Sequence, residues 1–158
     1  MTRNTDTALK LWVVLNRAHS AIAAHAEADV ARHGLSPAEF SALEALHHKG
    51  PLLVGTLQRA VLKSSGGITY VVDRLESKGL VRRRPCPEDR RAIYAELTAE
   101  GEALITRIFP LHAASLERAL SGLTGAEKRE ATALLRRLGL RAAELPATSP
   151  VAEADASR

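Results

Sequence analysis

The sequence predicts a mainly α chain: a winged helix-turn-helix with N- and C-terminal dimerisation helices. Three observations carry that expectation. Ile68, Val71, Val72 and Leu75 fall at i, i+3, i+4 and i+7, the spacing of a helix with one buried face. Gly79 follows as a left-handed stop, and Leu80 to Arg84 and Ala92 to Leu97 read as two strands around the basic turn Pro85-Cys86-Pro87-Glu88-Asp89-Arg90-Arg91. On either side lie long stretches with helical apolar stripes and no partner helix of their own.

Taken in order, Ala8, Leu11, Trp12, Leu15, His19, Ile22, Ala26 and Val30 recur with helical spacing. They predict one helix of about 25 residues, running to Arg32 or His33 and ending at Gly34. Ser36-Pro37-Ala38-Glu39 is a capping box with proline at N1, opening a second helix to about Lys49, and Gly50-Pro51 ends it. Leu53 to Ala60 gives a short third helix, with Leu62-Lys63 as the turn into the recognition helix. Beyond the wing, Thr98 can cap a helix carrying Leu104, Ile105, Ile108, Phe109, His112, Leu116 and Leu120 on one side. Pro110 lies inside it and should kink rather than break it, because the apolar pattern continues. Thr124-Gly125-Ala126-Glu127 is a second capping box, and Ala131, Leu134, Leu135, Leu138 and Leu145 line the last helix. Residues 1–34 are thus read as the N-terminal dimerisation helix, 35–97 as the winged helix-turn-helix, 98–145 as the C-terminal dimerisation helices and 146–158 as a disordered tail.

Composition narrows the class. The 158 residues carry a net charge of +4 with a pI near 9.6, and Arg74 to Arg91 alone holds seven basic and three acidic residues, the same net +4. Charge is therefore concentrated at the recognition helix and wing, where phosphate neutralisation supplies affinity for duplex DNA. Aromatics at 3% are too few for the stacking platforms of single-strand binders. One cysteine allows no intrachain disulfide, and no signal peptide or apolar run of membrane-spanning length is seen, so a cytoplasmic protein is expected. The motifs of phosphate-binding loops, dinucleotide sites and zinc proteases are missing, and no enzyme, cofactor or metal site is expected.

The run Asp73-Arg74-Leu75-Glu76-Ser77-Lys78-Gly79-Leu80-Val81-Arg82-Arg83, the D-x-R of Asp89 and Arg91, and Leu97-Thr98-x-x-Gly101 together resemble the MarR family of bacterial transcriptional regulators. The likeness covers roughly residues 8 to 145. It implies a homodimer that binds an inverted repeat in double-stranded DNA, commonly released by a small phenolic or other aromatic effector or by oxidation. Matched residue by residue, Arg91 would enter the minor groove, Asp89 would hold the wing in shape, and Arg90 would stand beside them. A narrow minor groove attracts arginine on electrostatic grounds alone.

From the residues themselves, Thr69, Tyr70 and Arg74 face away from the apolar stripe and are candidates for groove contacts, with Arg84 reaching from the wing. Ser64, Ser65 and Gly66 sit at the helix N-terminus, where free amides favour a phosphate; plain N-capping accounts for them as well. Trp12, His19, Phe40, His47, Phe109 and His112 are candidates for an effector crevice, although core packing explains each equally well. Cys86, between two prolines in the wing, is expected to be exposed. Family members that sense oxidants do so through a cysteine in the N-terminal helix, and residues 1–85 contain none. A redox-sensing regulator using Cys86 is therefore the alternative reading, and a winged-helix protein-interaction module is the other. The arginines on the recognition face and wing favour DNA over the protein-interaction module.

Overall fold

Local capping chemistry sets most of the element boundaries in the computed structural model, which describes residues 3–61 and 67–146. The elements are α1 (Arg3–Ala31), α2 (Pro37–Lys49), β1 (Leu52–Leu53), α3 (Val54–Ala60), α4 (Gly67–Ser77), β2 (Val81–Pro85), β3 (Ile93–Leu97), α5 (Ala99–Ala119) and α6 (Gly125–Glu144). Among the described residues this is a mainly helical winged helix-turn-helix with one small antiparallel sheet.

Helix α2 starts where its capping box requires: the Ser36 side chain accepts the Glu39 N–H, and the Glu39 carboxylate accepts the Ser36 N–H at 2.8 Å. Helix α4 ends at Gly79, whose φ of 72° only glycine adopts freely. The Leu80 N–H then returns to the Leu75 carbonyl and the Gly79 N–H to the Glu76 carbonyl, closing the last turn and aiming the chain into β2. Ile68, Val71, Val72 and Leu75 are all buried, as their spacing predicts.

The sheet order is β1-β3-β2, with Leu52 opposite Ala95, Val81 opposite Leu97 and Arg83 opposite Ala95. Two expectations are corrected here. Leu53 belongs to strand β1 rather than to α3, which starts at Val54. Pro85 closes β2, opposite Ile93, instead of lying in the turn. An edge strand tolerates it because its missing N–H would have faced solvent. Helix α1 begins at Arg3, earlier than its apolar stripe indicates, and α5 runs through Pro110 without a break.

The chain forms two compact units, Met1–Leu120 and Ser121–Arg158. In the first, Val30, Phe40, Leu43, Leu57, Leu75, Ile105 and Ile108 build one core, so α1, α2, α4 and α5 share it. Thr98 caps α5: it takes the Gly101 N–H at 3.0 Å on its hydroxyl oxygen and donates the hydroxyl to the Gly79 carbonyl at 2.6 Å. Gly101 is buried so close to the preceding turn that a Cβ there would meet the Leu80 carbonyl oxygen at 2.0 Å. The second unit contains α6, opened by the Thr124 and Glu127 capping box, and none of its described residues is buried. The Thr124 hydroxyl and N–H hold the Glu127 carboxyl below its ordinary value. The tail expected over 146–158 lies, beyond Pro146, outside the described residues.

Candidate nucleic-acid interface

Because the apolar stripe of α4 is buried, its other face is presented outward by necessity. Thr69, Tyr70, Asp73, Arg74 and Ser77 are all exposed, with Tyr70 at 55%. Ser64, Ser65 and Gly66 lie outside the described residues. Arg74 points toward α2, where its Nε lies 3.7 Å from Glu39 Oε1.

The wing presents five arginines of two kinds. Arg82, Arg83 and Arg84 are neutralised within the fold. Arg82 Nε donates to Glu96 at 2.6 Å, and Arg84 Nε donates to the same carboxylate at 3.2 Å while its guanidinium lies 5.1 Å over the Tyr94 ring. Arg83 reaches back to α4, donating to Asp73 at 2.6 Å and to Glu76, and so ties the wing to the recognition helix. Burial pulls the Arg83 guanidinium down, but Asp73 and Glu76 more than offset it and leave it above its ordinary value. Arg90 and Arg91 at the tip are exposed and take no ion-pair partner among the described residues. The tip itself is fixed by Asp89, whose carboxylate accepts the Arg91 N–H at 2.9 Å and whose carbonyl accepts the Ala92 N–H at 3.0 Å. An open cavity of about 460 Å³ separates the start of α3, Thr69 of α4, and Arg83 and Arg91 of the wing.

Glu96 has a pH consequence. The Arg82 guanidinium, with Arg84 behind it, holds the Glu96 carboxyl below its ordinary value of 4.5. A depressed folded pKa means that this contribution is present above the ordinary value and is lost as the pH falls through the depressed one. Melting curves from pH 7 to pH 3 are expected to show a smaller acid-induced loss of Tm in Glu96→Gln than in wild type. An identical loss in both would mean that the pair contributes nothing to folding.

The six effector candidates do not form one cluster. Phe40 is buried, and its ring centroid lies 4.3 Å from that of His112. His112 is buried too and donates from Nδ1 to Asp29 Oδ2 at 2.9 Å, joining α5 to α1. His47 pairs with Glu102 at 2.8 Å, while Phe109 meets His48 edge to face. Trp12, at 63%, and His19 are exposed on α1. Cys86 is half-buried rather than exposed. Among the described residues no three His, Cys, Asp or Glu side chains converge on a point where a metal could sit, and no described helix is long and apolar enough to cross a membrane. Sequence reasoning did not single out Arg83 or Glu96 and read Glu39 only as a cap, since what marks each here is a partner distant in the chain.

An outward polar helix face beside a wing with exposed tip arginines is a surface suited to duplex DNA. Residues 33–92 match the MarR family. The HTH-type transcriptional regulator MhqR of Bacillus subtilis is 43% identical over 138 residues, which is 87% of this chain and 95% of MhqR. The chain belongs to the MarR family. Among solved structures, Sco3205 of Streptomyces coelicolor, a MarR family regulator in complex with DNA, superposes with a TM-score of 0.75 at 26% identity, covering 83% of this chain and 84% of that one. Bordetella bronchiseptica BpsR, described for the regulation of its DNA binding by 6-hydroxynicotinic acid, gives 0.72 at 26% identity, covering 80% and 90%.

Proposed function

We propose that this chain works in the cytoplasm as a homodimer that represses transcription by binding an inverted-repeat operator in double-stranded DNA, and that a small aromatic or phenolic effector releases it. The division among the wing arginines carries this reading. Three are spent on holding the wing together, while Arg90 and Arg91 extend from a tip that Asp89 keeps rigid. Unneutralised, preorganised arginines are what a narrow minor groove attracts. In this reading Thr69, Tyr70 and Arg74 meet the major groove, and Ser64, Ser65 and Gly66 meet a phosphate.

Support for the dimer comes from uncovered apolar side chains: Leu9, Leu11, Trp12 and Val14 on α1, and Leu134, Leu138 and Leu140 on α6, are each more than two-fifths exposed. A second copy covers such faces most economically. DNA binding by BpsR is regulated by an aromatic acid, which supports an effector of that class here. Of the six candidates, Phe40 and His112 are the pair whose rings lie together, 4.3 Å between centroids, and are the ones we assign to it.

Arg91→Ala tests the wing. Operator affinity, read by fluorescence anisotropy across a salt series, is expected to fall, with the salt slope reduced by about one phosphate equivalent. Unchanged affinity and slope would remove Arg91 from the interface.

A further inference from the structure

We propose that Glu39 is a positioning residue for operator readout: its buried carboxylate holds Arg74 by the Nε edge of the guanidinium and pins the end of α4, so that the terminal amino groups of Arg74 meet the duplex in one orientation. The inference rests on the DNA-binding reading above.

A glutamate at N3 of a helix needs only the N-cap amide to complete its capping box, and it commonly does so at the surface. Glu39 does more. It is 4% exposed, and the Oε2 that accepts the Ser36 N–H also accepts Lys78 Nζ at 2.6 Å. Lys78 donates in turn to the Gly34 carbonyl at 2.7 Å, which fastens the end of α4 to the turn between α1 and α2. A buried carboxylate requires a cation, and Lys78 already supplies one. The second, Arg74, sits one helical turn before Lys78 with its Nε 3.7 Å from Glu39 Oε1, at ion-pair range rather than hydrogen-bond range.

This geometry favours readout. The Arg74 side chain is 51% exposed, and its terminal amino groups take no partner among the described residues. Held by the Nε edge, the guanidinium still offers its forked end, the group that recognises a guanine or a phosphate bidentately. A fork restrained by an ion pair surrenders less freedom on binding, and one acceptor position is favoured over others. The contribution of Glu39 should therefore appear in discrimination between sequences more than in affinity as such.

The test uses the full chain, one duplex recovered by selection from a random-sequence pool with the wild-type protein, and one scrambled duplex. Anisotropy titrations compare wild type, Glu39→Gln, Arg74→Ala and the double variant. Glutamine preserves the capping box but removes the charge. Glu39→Gln is expected to lower the ratio of selected to scrambled affinity by roughly fivefold, within the range for residues in contact, and to leave scrambled binding equal. In the Arg74→Ala background the same substitution is expected to leave the ratio unchanged. A wild-type ratio in Glu39→Gln, an equal loss on both duplexes, or the same drop without Arg74 would overturn the proposal. If Glu39→Gln fails to fold, Arg74→Lys decides with Glu39 intact. A lower ratio at an unchanged salt slope supports the held guanidinium, and a retained ratio overturns it. A wild-type protein that gripped both duplexes equally would instead overturn the operator reading itself.

Discussion

Glutamate at positions 134 and 138 together is expected to yield a folded monomer that has lost its operator. Leu134 and Leu138 lie one turn apart on α6, 49% and 43% exposed, so neither contributes to a buried core of its unit and the substitutions should leave folding largely intact. Their proposed role is to be covered by a second copy, and two carboxylates placed in that contact would have to be desolvated without partners. With one recognition helix in place of two, the second half-site contact is no longer effectively intramolecular. Affinity should fall by on the order of a hundredfold or more. Sedimentation velocity reads the oligomeric state and anisotropy reads the binding. A Leu134→Glu, Leu138→Glu variant that remained dimeric at micromolar concentration would show that α6 does not carry the interface.

Gly101→Ala is expected to be the most damaging single-methyl change in the winged-helix unit. The new Cβ would stand 2.0 Å from the Leu80 carbonyl oxygen and 2.9 Å from its carbon. Backbone cannot rotate away as a side chain can. The same carbonyl accepts the Thr98 N–H at 3.1 Å, so any shift of Leu80 also disturbs the cap of α5. Overpacking together with a weakened cap implies a loss of about 3 kcal/mol. In a chain of this size that corresponds to roughly 6–12 °C in Tm. Gly139→Ala serves as the control, since nothing lies within 4 Å of its would-be Cβ on α6, and helix propensity predicts a gain of up to about 1 kcal/mol. Calorimetry on the two variants should give shifts of opposite sign. A Gly101→Ala protein melting within about a degree of wild type would mean that the turn after α4 yields freely.

The Gly101 contact also shows what was legible in the sequence and what was not. Elements defined by neighbouring residues could be read directly. The Ser36 and Thr124 capping boxes, the Gly79 stop and the Ile68 to Leu75 stripe are decided within one or two turns, and the structure has them where local chemistry puts them. Strand β1 could not be read, because two leucines have no alternation to display and become a strand only by pairing with Tyr94 and Ala95, some forty residues later. Pro85 was misplaced for a related reason: whether proline ends a strand or sits within one depends on which strand is at the edge, a property of the sheet. At the interface, charge pointed to a cluster of arginines without separating the structural ones from the exposed ones. That distinction needs the positions of Glu96, Asp73 and Glu76 across the fold. Glu39 was legible as a cap and illegible as the partner of Lys78 and Arg74, because its carboxylate serves both at once.

Two copies acting together on one stretch of double helix is the claim on which the remaining readings depend. Native mass spectrometry of the wild-type protein with the selected duplex tests it most directly. The predicted complex contains two chains per duplex, with no appreciable one-chain species at sub-stoichiometric protein, and it disappears when the scrambled duplex is substituted at physiological salt. A complex of one chain per duplex, or equal occupancy of both duplexes, would contradict it.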